Sequence, residues 1–277
     1  MSEPTRELRF PLSLCAAVGA RTISIFEHVG SLWFLLISAG RWTIRGIFGR
    51  RVRLGRSAIT AQLVRVGVSS VFIVSLVSGS VGCILGFQMA PPLEDFGSVE
   101  LVPNIIAVAV LRELGPLISA IVLVGFAGAA IAAEIGTMVV GEEIEALEAH
   151  ALNPVRFLVV PRIIATVIGM ICLAIIANLV SILCAALMSK LVLGISWTTY
   201  YDNTIAQVKP VDFLTGIAKA AVFGLLIGLI ACGNGLKVSG GAAGVGNATT
   251  GTVVQSVVAV IFADLIFTIV FYSLKLF

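Results

Sequence analysis

Apolar positions run without a single Asp, Glu, Lys or Arg over three long stretches, residues 66–93, 114–133 and 163–189. Each meets the roughly 18 to 20 residues that an α-helix needs to cross the hydrocarbon of a bilayer. Two further stretches, 213–232 and 253–274, carry one charge each, Lys219 and Asp264, and are also long enough. The pattern predicts five transmembrane helices, over about 66–90, 103–140, 160–189, 213–233 and 253–275. The second is too long for one straight crossing at about 1.5 Å per residue, so Gly115-Pro116 is expected to break or bend it.

The first 65 residues follow a different pattern. They hold ten arginines, at positions 6, 9, 21, 41, 45, 50, 51, 53, 56 and 65, against glutamates at 3, 7 and 27. The longest apolar run there, SLWFLLISAG, is too short to span, and tryptophans beside arginines suit an amphipathic helix lying in the headgroup layer. Residues 1–60 therefore read as a basic interfacial region and 61–277 as the membrane domain. The layout of a secretory signal peptide is absent from this stretch.

Composition agrees with the pattern. Hydrophobic residues make up 58% of the chain, charged residues 12%, and mean hydropathy is +1.09, whereas about a quarter of a soluble domain's residues are charged. The fold class is an all-α integral membrane protein. With the N-terminus inside, the cytoplasmic side collects the ten arginines, Arg156, Arg162 and Lys237; only Lys190, Lys209 and Lys275 fall outside. That bias sets the orientation, and five spans leave the C-terminus on the outer side.

A cytoplasmic hairpin, MVVGEEIEALEAHALNPVRFLVVPRI, joins the second and third spans. It predicts a short helix over 142–152. Glu142 and Glu143 start it, where the dipole favours acids; Ile144, Leu147 and Ala151 share one face; Asn153-Pro154 ends it. Anionic lipid would repel Glu142, Glu143, Glu145 and Glu148, so a protein groove is the expected neighbour.

Catalytic chemistry finds little support. Five cysteines lack C-x-x-C spacing, His28 and His150 have no partners at metal-ligand spacing, and no nucleophile lies beside a base. The glycine-rich run GNGLKVSGGAAGVGNATTGTVV contains no G-x-x-x-x-G-K-[ST] phosphate loop, and it reads as a flexible connection between the last two spans. Any ATP and Mg would be bound by another subunit; no metal, cofactor or nucleic-acid site is expected on this chain.

The block LRELGPLISAIVLVGFAGAAIAAEIGTMVVGEEIEALEAHALNPVRFLVVPRIIA resembles the MlaE-type permeases, the membrane subunits of ABC systems that work with MCE-domain proteins to move phospholipid. IAKAAVF around Lys219 and ATTGTVVQSVVAVIFADLIF around Asp264 extend the resemblance over nearly the whole chain. It implies a homodimer in a bacterial inner membrane, with an ABCG-like exporter arrangement of five spans. A cytoplasmic ABC ATPase would grip the coupling helix at Glu142, Glu143, Ile144, Glu145, Leu147 and Glu148, and an MCE-domain protein would sit on the outer face. The chain departs from the family pattern at three commonly basic positions. It has Gly-Phe126-Ala-Gly in place of Gly-Arg-x-Gly, and Gly-Asn247-Ala-Thr-Thr-Gly251 in place of Gly-Arg-Ala-Thr-Thr-Arg.

Charges inside a membrane cost several kcal/mol, of order 3 by insertion scales, and persist where they face protein or a wet cavity. Adjacent helical residues do not face each other, so Arg112 and Glu113 are expected to reach different partners. Arg112, Glu113 and Lys219 are candidates for lining the phospholipid headgroup route, the two cations attracting phosphate. Asp264 and Glu134 are the candidate charge partners that brace the bundle. A purely structural ionic network of Arg112, Glu113, Lys219 and Asp264 stands beside the route reading. Leu85, Leu93 and Phe96 are candidates for contact with lipid tails. Small residues at 125, 129 and 133, and at 128, 132 and 136, give the second span two close-packing faces. Two other functions fit the sequence. One is an ion-coupled transporter relaying through Asp264, Glu113 and Lys219, although no paired repeat is visible; the other is a membrane scaffold without transport.

Overall fold

The structure, a computed structural model, describes residues 9–48, 55–95 and 97–275. Among them every regular element is helical. The first, α1 (Arg9–Phe48), is 40 residues long, about 60 Å at the α-helical rise. Five later segments are long and apolar enough to cross a membrane: Ser57–Asp95, Val99–Val140, Val155–Leu193, Pro210–Leu236 and Gly241–Ser273. The described chain is thus an all-α membrane protein.

The first crossing comprises α2 (Arg56–Val66) and α3 (Val71–Asp95). It begins inside the region expected to lie on the membrane surface, because Arg65 pairs with Glu134 of the second crossing and does not end the helix. The second crossing contains α4 (Val102–Ala109), α5 (Gly115–Leu123) and α6 (Ala129–Val140), joined by π turns at Val110–Leu114 and Val124–Gly128. Gly115-Pro116 therefore leaves the helix continuous and marks a widened turn, which accommodates a residue with no N–H to donate.

The coupling segment forms α7 (Glu143–Ala149), shorter than the expected 142–152. Ala151 takes a left-handed conformation at φ 57°, and the Ala151 and Leu152 amides bond back to Glu148 and Leu147. This closure ends the helix before Asn153-Pro154 is reached. The third crossing is α8 (Val160–Leu193), entered through a π turn at Val155–Val159. It is followed by α9 (Trp197–Gln207), which the hydrophobic pattern did not predict; Ser196 caps it by accepting the Thr199 amide. The last two crossings are α10 (Pro210–Leu236) and α11 (Gly241–Ser273).

The start of α11 corrects the expectation of a flexible loop over 233–254. Only a tight turn around Gly240, at φ 87°, separates the two helices. Glycine is a poor helix former in water, by about 1 kcal/mol relative to alanine. Here the Thr249, Thr250 and Thr252 hydroxyls bond back to carbonyls of the preceding turn, and Val245 sides with Val238 against Gly136. Backbone satisfaction and small-residue packing together outweigh propensity.

Alternation of the crossings puts α7 and the α10–α11 turn at one end and the α3–α4 turn with α9 at the other. The α10 helix lies centrally, against α6, α8 and α11. Its Gly216 sits where a Cβ would collide with the Leu111 carbonyl, which brings Lys219 up to the Arg112-Glu113 turn. The α3 and α8 helices approach as closely at Gly82, where a Cβ would strike the Ser181 backbone. A main core around Leu123, Ile131, Met170, Phe223 and Ile227 fills the middle and the α7 end; a smaller one around Val102, Ile106, Ala185 and Tyr200 closes the α9 end. Burial pushes the Tyr200 hydroxyl up to about 12.

Candidate functional site

Arg112 and Glu113 occupy the π turn that precedes Gly115-Pro116, where the Gly115 amide bonds to the Val110 carbonyl five residues back. The two side chains diverge as their adjacency requires. Arg112 donates to Asp212 Oδ1, from Nε at 2.7 Å and from a terminal guanidinium nitrogen at 2.5 Å. Asp212 is almost wholly buried in the first turn of α10, and its Oδ2 accepts the Lys209 amide at 2.9 Å. It caps α10 and holds Arg112 with the same carboxylate.

Sequence reasoning missed Asp212. Its signal was Lys209-Pro210-Val211-Asp212: a proline at the first helical position with an acid two residues on marks a helix start. That start opens a span facing the Arg112 turn.

Glu113 takes the other direction. The Lys219 ammonium donates to Glu113 Oε2, to Asp264 Oδ1 at 2.9 Å and to the Thr268 hydroxyl at 3.1 Å. The Thr268 hydroxyl lies 3.1 Å from Glu113 Oε1 and donates to it. Three crossings meet in this knot. Lys219 is fully buried, whereas the side chains of Arg112, Glu113 and Asp264 keep 19%, 31% and 17% of their exposure. The openings to the surroundings are therefore Arg112 and the two carboxylates, with Lys219 behind them.

Next to this cluster, toward the α9 end, Leu101, Asn104, Ile105, Val108, Ala109 and Gln207 line a cavity of about 460 Å³. Ile105, Val108 and Ala109 stand on the two turns before Arg112, so an apolar surface leads from that end to the charges. The tail candidates Leu85 and Leu93 lie elsewhere, half-buried against the small core; Phe96 lies outside the described residues.

Glu134 belongs to a second charged group at the α7 end. It accepts from Arg162 at 3.2 Å and pairs with Arg65, tying the first three crossings together. Gln62, Arg65, Ser69, Phe126 and Glu134 line a cavity of about 300 Å³ there. Phe126 stands half-exposed at this cavity, and Arg65 supplies the cation that its position lacks. Asn247 and Gly251 border a polar cavity of about 330 Å³ with Lys237 and Gln255. Of the two small-residue faces, Gly128 and Gly136 turn inward toward Ile227 and Val238, whereas Gly125 faces open space.

Glu142, which precedes α7 in a left-handed conformation, and Glu143, Glu145 and Glu148 on the helix are exposed, while Ile144 and Leu147 are half-buried. Ile144 packs onto the main core. The helix thus presents a carboxylate surface outward and is fastened inward to the crossings on either side.

Compared with known proteins, residues 59–270 match the family described as Permease MlaE. A probable ABC transporter permease protein of Rickettsia felis is 32% identical over 95% of this chain and 99% of its own length. The intermembrane phospholipid transport system permease protein MlaE of Haemophilus influenzae is 31% identical, over 95% of this chain and 98% of its own. The chloroplastic protein TRIGALACTOSYLDIACYLGLYCEROL 1 of Arabidopsis thaliana is 35% identical over 76% of this chain and 61% of its own.

Proposed function

The chain belongs to the MlaE permease family, and we propose that this multi-pass membrane permease of an ABC transporter moves phospholipid, driven by a separate cytoplasmic ATPase. The observation that carries the reading is the charged knot at the end of an apolar surface, Ile105 and Val108 leading to Arg112 and Glu113. A partly exposed guanidinium beside a partly exposed carboxylate suits a headgroup bearing phosphate and ammonium, and the apolar approach suits its tails. Lys219 acts from behind by fixing Glu113 and Asp264. The relative of Haemophilus influenzae, named for phospholipid transport, supports the cargo.

In this reading two copies face each other across the lipid, and an MCE-domain protein receives or delivers it at the α9 end. The N-terminus and α7 are cytoplasmic, and the C-terminus is periplasmic, in a bacterial inner membrane. Exposed carboxylates on α7 dock the ATPase. Because α7 is fastened directly to the second and third crossings, its displacement shifts both as rigid bodies.

The test is transport in proteoliposomes containing the complex isolated from its native membrane. Phospholipid movement that needs ATP, and that falls with Arg112→Gln while the complex stays assembled, supports the reading. Movement driven by an ion gradient without ATP would replace it with a secondary transporter.

A further inference from the structure

The α9 helix docks on the bundle by one face. At about 100° per residue, Tyr200, Asn203, Thr204 and Gln207 fall on the same side. Tyr200 is buried in the smaller core, and the Asn203 side-chain amide donates to the Glu100 carbonyl at 2.9 Å. The exposed residues divide into two adjoining wedges. Trp197, Tyr201 and Ile205 fall within about 80° of arc next to the docked face, and Thr198, Asp202 and Ala206 occupy the arc beyond them. The first wedge is apolar and aromatic, whereas the second carries the charge of Asp202.

A helix of 11 residues is too short to cross a bilayer, and its place in the chain keeps it at a membrane surface. The last turn of α8 before it exposes Leu191 and Val192, and the second turn of α10 after it exposes Leu214. On membrane crossings these side chains face hydrocarbon, and the apolar wedge of α9 lies between them along the chain. The Lys190 ammonium lies 5.3 Å from the centre of the Trp197 ring. A tryptophan with a long cationic side chain beside it suits the headgroup level, where the ring stays half-immersed and the ammonium reaches water and phosphate. A protein resting on this end from the aqueous side would instead meet the wedge of Thr198 and Asp202.

We infer that α9 lies in the surface of the leaflet at its own end of the molecule, with Trp197, Tyr201 and Ile205 set among the lipid headgroups. Gln207, at the end of α9, also lines the cavity of about 460 Å³ with Leu101 and Ile105. Seating α9 in the leaflet holds that side of the cavity at headgroup depth. The seating does not depend on which substrate the permease moves.

The test uses the full chain in nanodiscs of phosphatidylcholine and reads Trp197 fluorescence as the difference between the native chain and Trp197→Phe. A nitroxide carried near the lipid headgroup should quench that difference at least about twofold more than one at the acyl-chain end, because an interfacial helix buries its apolar face only about 5–10 Å deep. Iodide in the water should quench it less than it quenches free tryptophan. Tyr201→Asp with Ile205→Asp changes exposed positions and should lower the headgroup quenching at least about twofold while admitting iodide. Quenching by iodide and not by lipid in the native chain would overturn the inference by placing the wedge in water. Shielding from both quenchers would overturn it by assigning the wedge to a second copy or a protein partner. Stronger quenching from the acyl-chain end, or headgroup quenching unchanged by the paired aspartates, would overturn it as well.

Discussion

Lys219→Met keeps the length of the side chain and removes the cation that Glu113 and Asp264 share. At 2.9 Å from Asp264, the attraction for that pair alone is about 6 kcal/mol at an effective dielectric constant of about 20. Desolvation of the three groups offsets much of this, so the intact cluster is worth far less than its Coulomb energy. Removing one partner is different, because it leaves two carboxylates uncompensated beside each other, and the cost is about 3–5 kcal/mol. Neutralising all three, in Lys219→Met with Glu113→Gln and Asp264→Asn, should return stability to within about 1 kcal/mol of the native chain. Unfolding in mixed micelles of dodecyl maltoside and SDS, followed by circular dichroism, measures both variants. A single variant that loses less than about 1 kcal/mol, or a triple variant as unstable as the single one, refutes the shared-cation account.

Glu142→Lys with Glu145→Lys changes exposed positions, so stability should move by no more than about 0.5 kcal/mol, while co-purification of the ATPase should be lost; retained ATPase would remove α7 as its dock. Gly82→Ala puts a methyl group against the Ser181 backbone and should cost about 1–3 kcal/mol through separation of α3 from α8, measured by the same unfolding assay; an unchanged midpoint contradicts the close packing. His28 on α1 has its pKa held below the usual 6.5 by burial and by the Lys237 charge, with the Gln255 hydrogen bond opposing. The unfolded or undocked state then binds more protons as pH falls through 6.5, so docking of α1 is complete above that pH and weakens below it. Amide exchange over α1 should rise from pH 8 to pH 5.5 and lose that rise in His28→Gln; a pH-independent pattern would show that the imidazole does not couple to docking.

The crossings were legible because a bilayer imposes a length and an apolar content that few other folds share. The separate destinations of Arg112 and Glu113 were legible too, since adjacent helical residues diverge. Three features were not. Asp212 hid as a capping residue, and its tertiary partner lies 100 positions away. The first turns of α11 hid behind glycines, whose low propensity in water does not hold where packing and the absence of competing water decide. The α9 helix carries no long apolar run; it rests on a serine cap and on Tyr200 entering the smaller core. Glu134 was a candidate brace, and the partners that make it one are Arg65 and Arg162, which reach it from the first and third crossings. A contact between separate helices leaves no local mark in the sequence.

The direct measurement of the central claim is to tag the C-terminus, purify the protein from its native membrane in mild detergent, and identify the accompanying proteins and lipids by mass spectrometry. A phospholipid permease predicts recovery of an ABC ATPase, an MCE-domain protein and enriched phospholipid. Recovery of the chain alone, from a preparation shown to be folded, would contradict it.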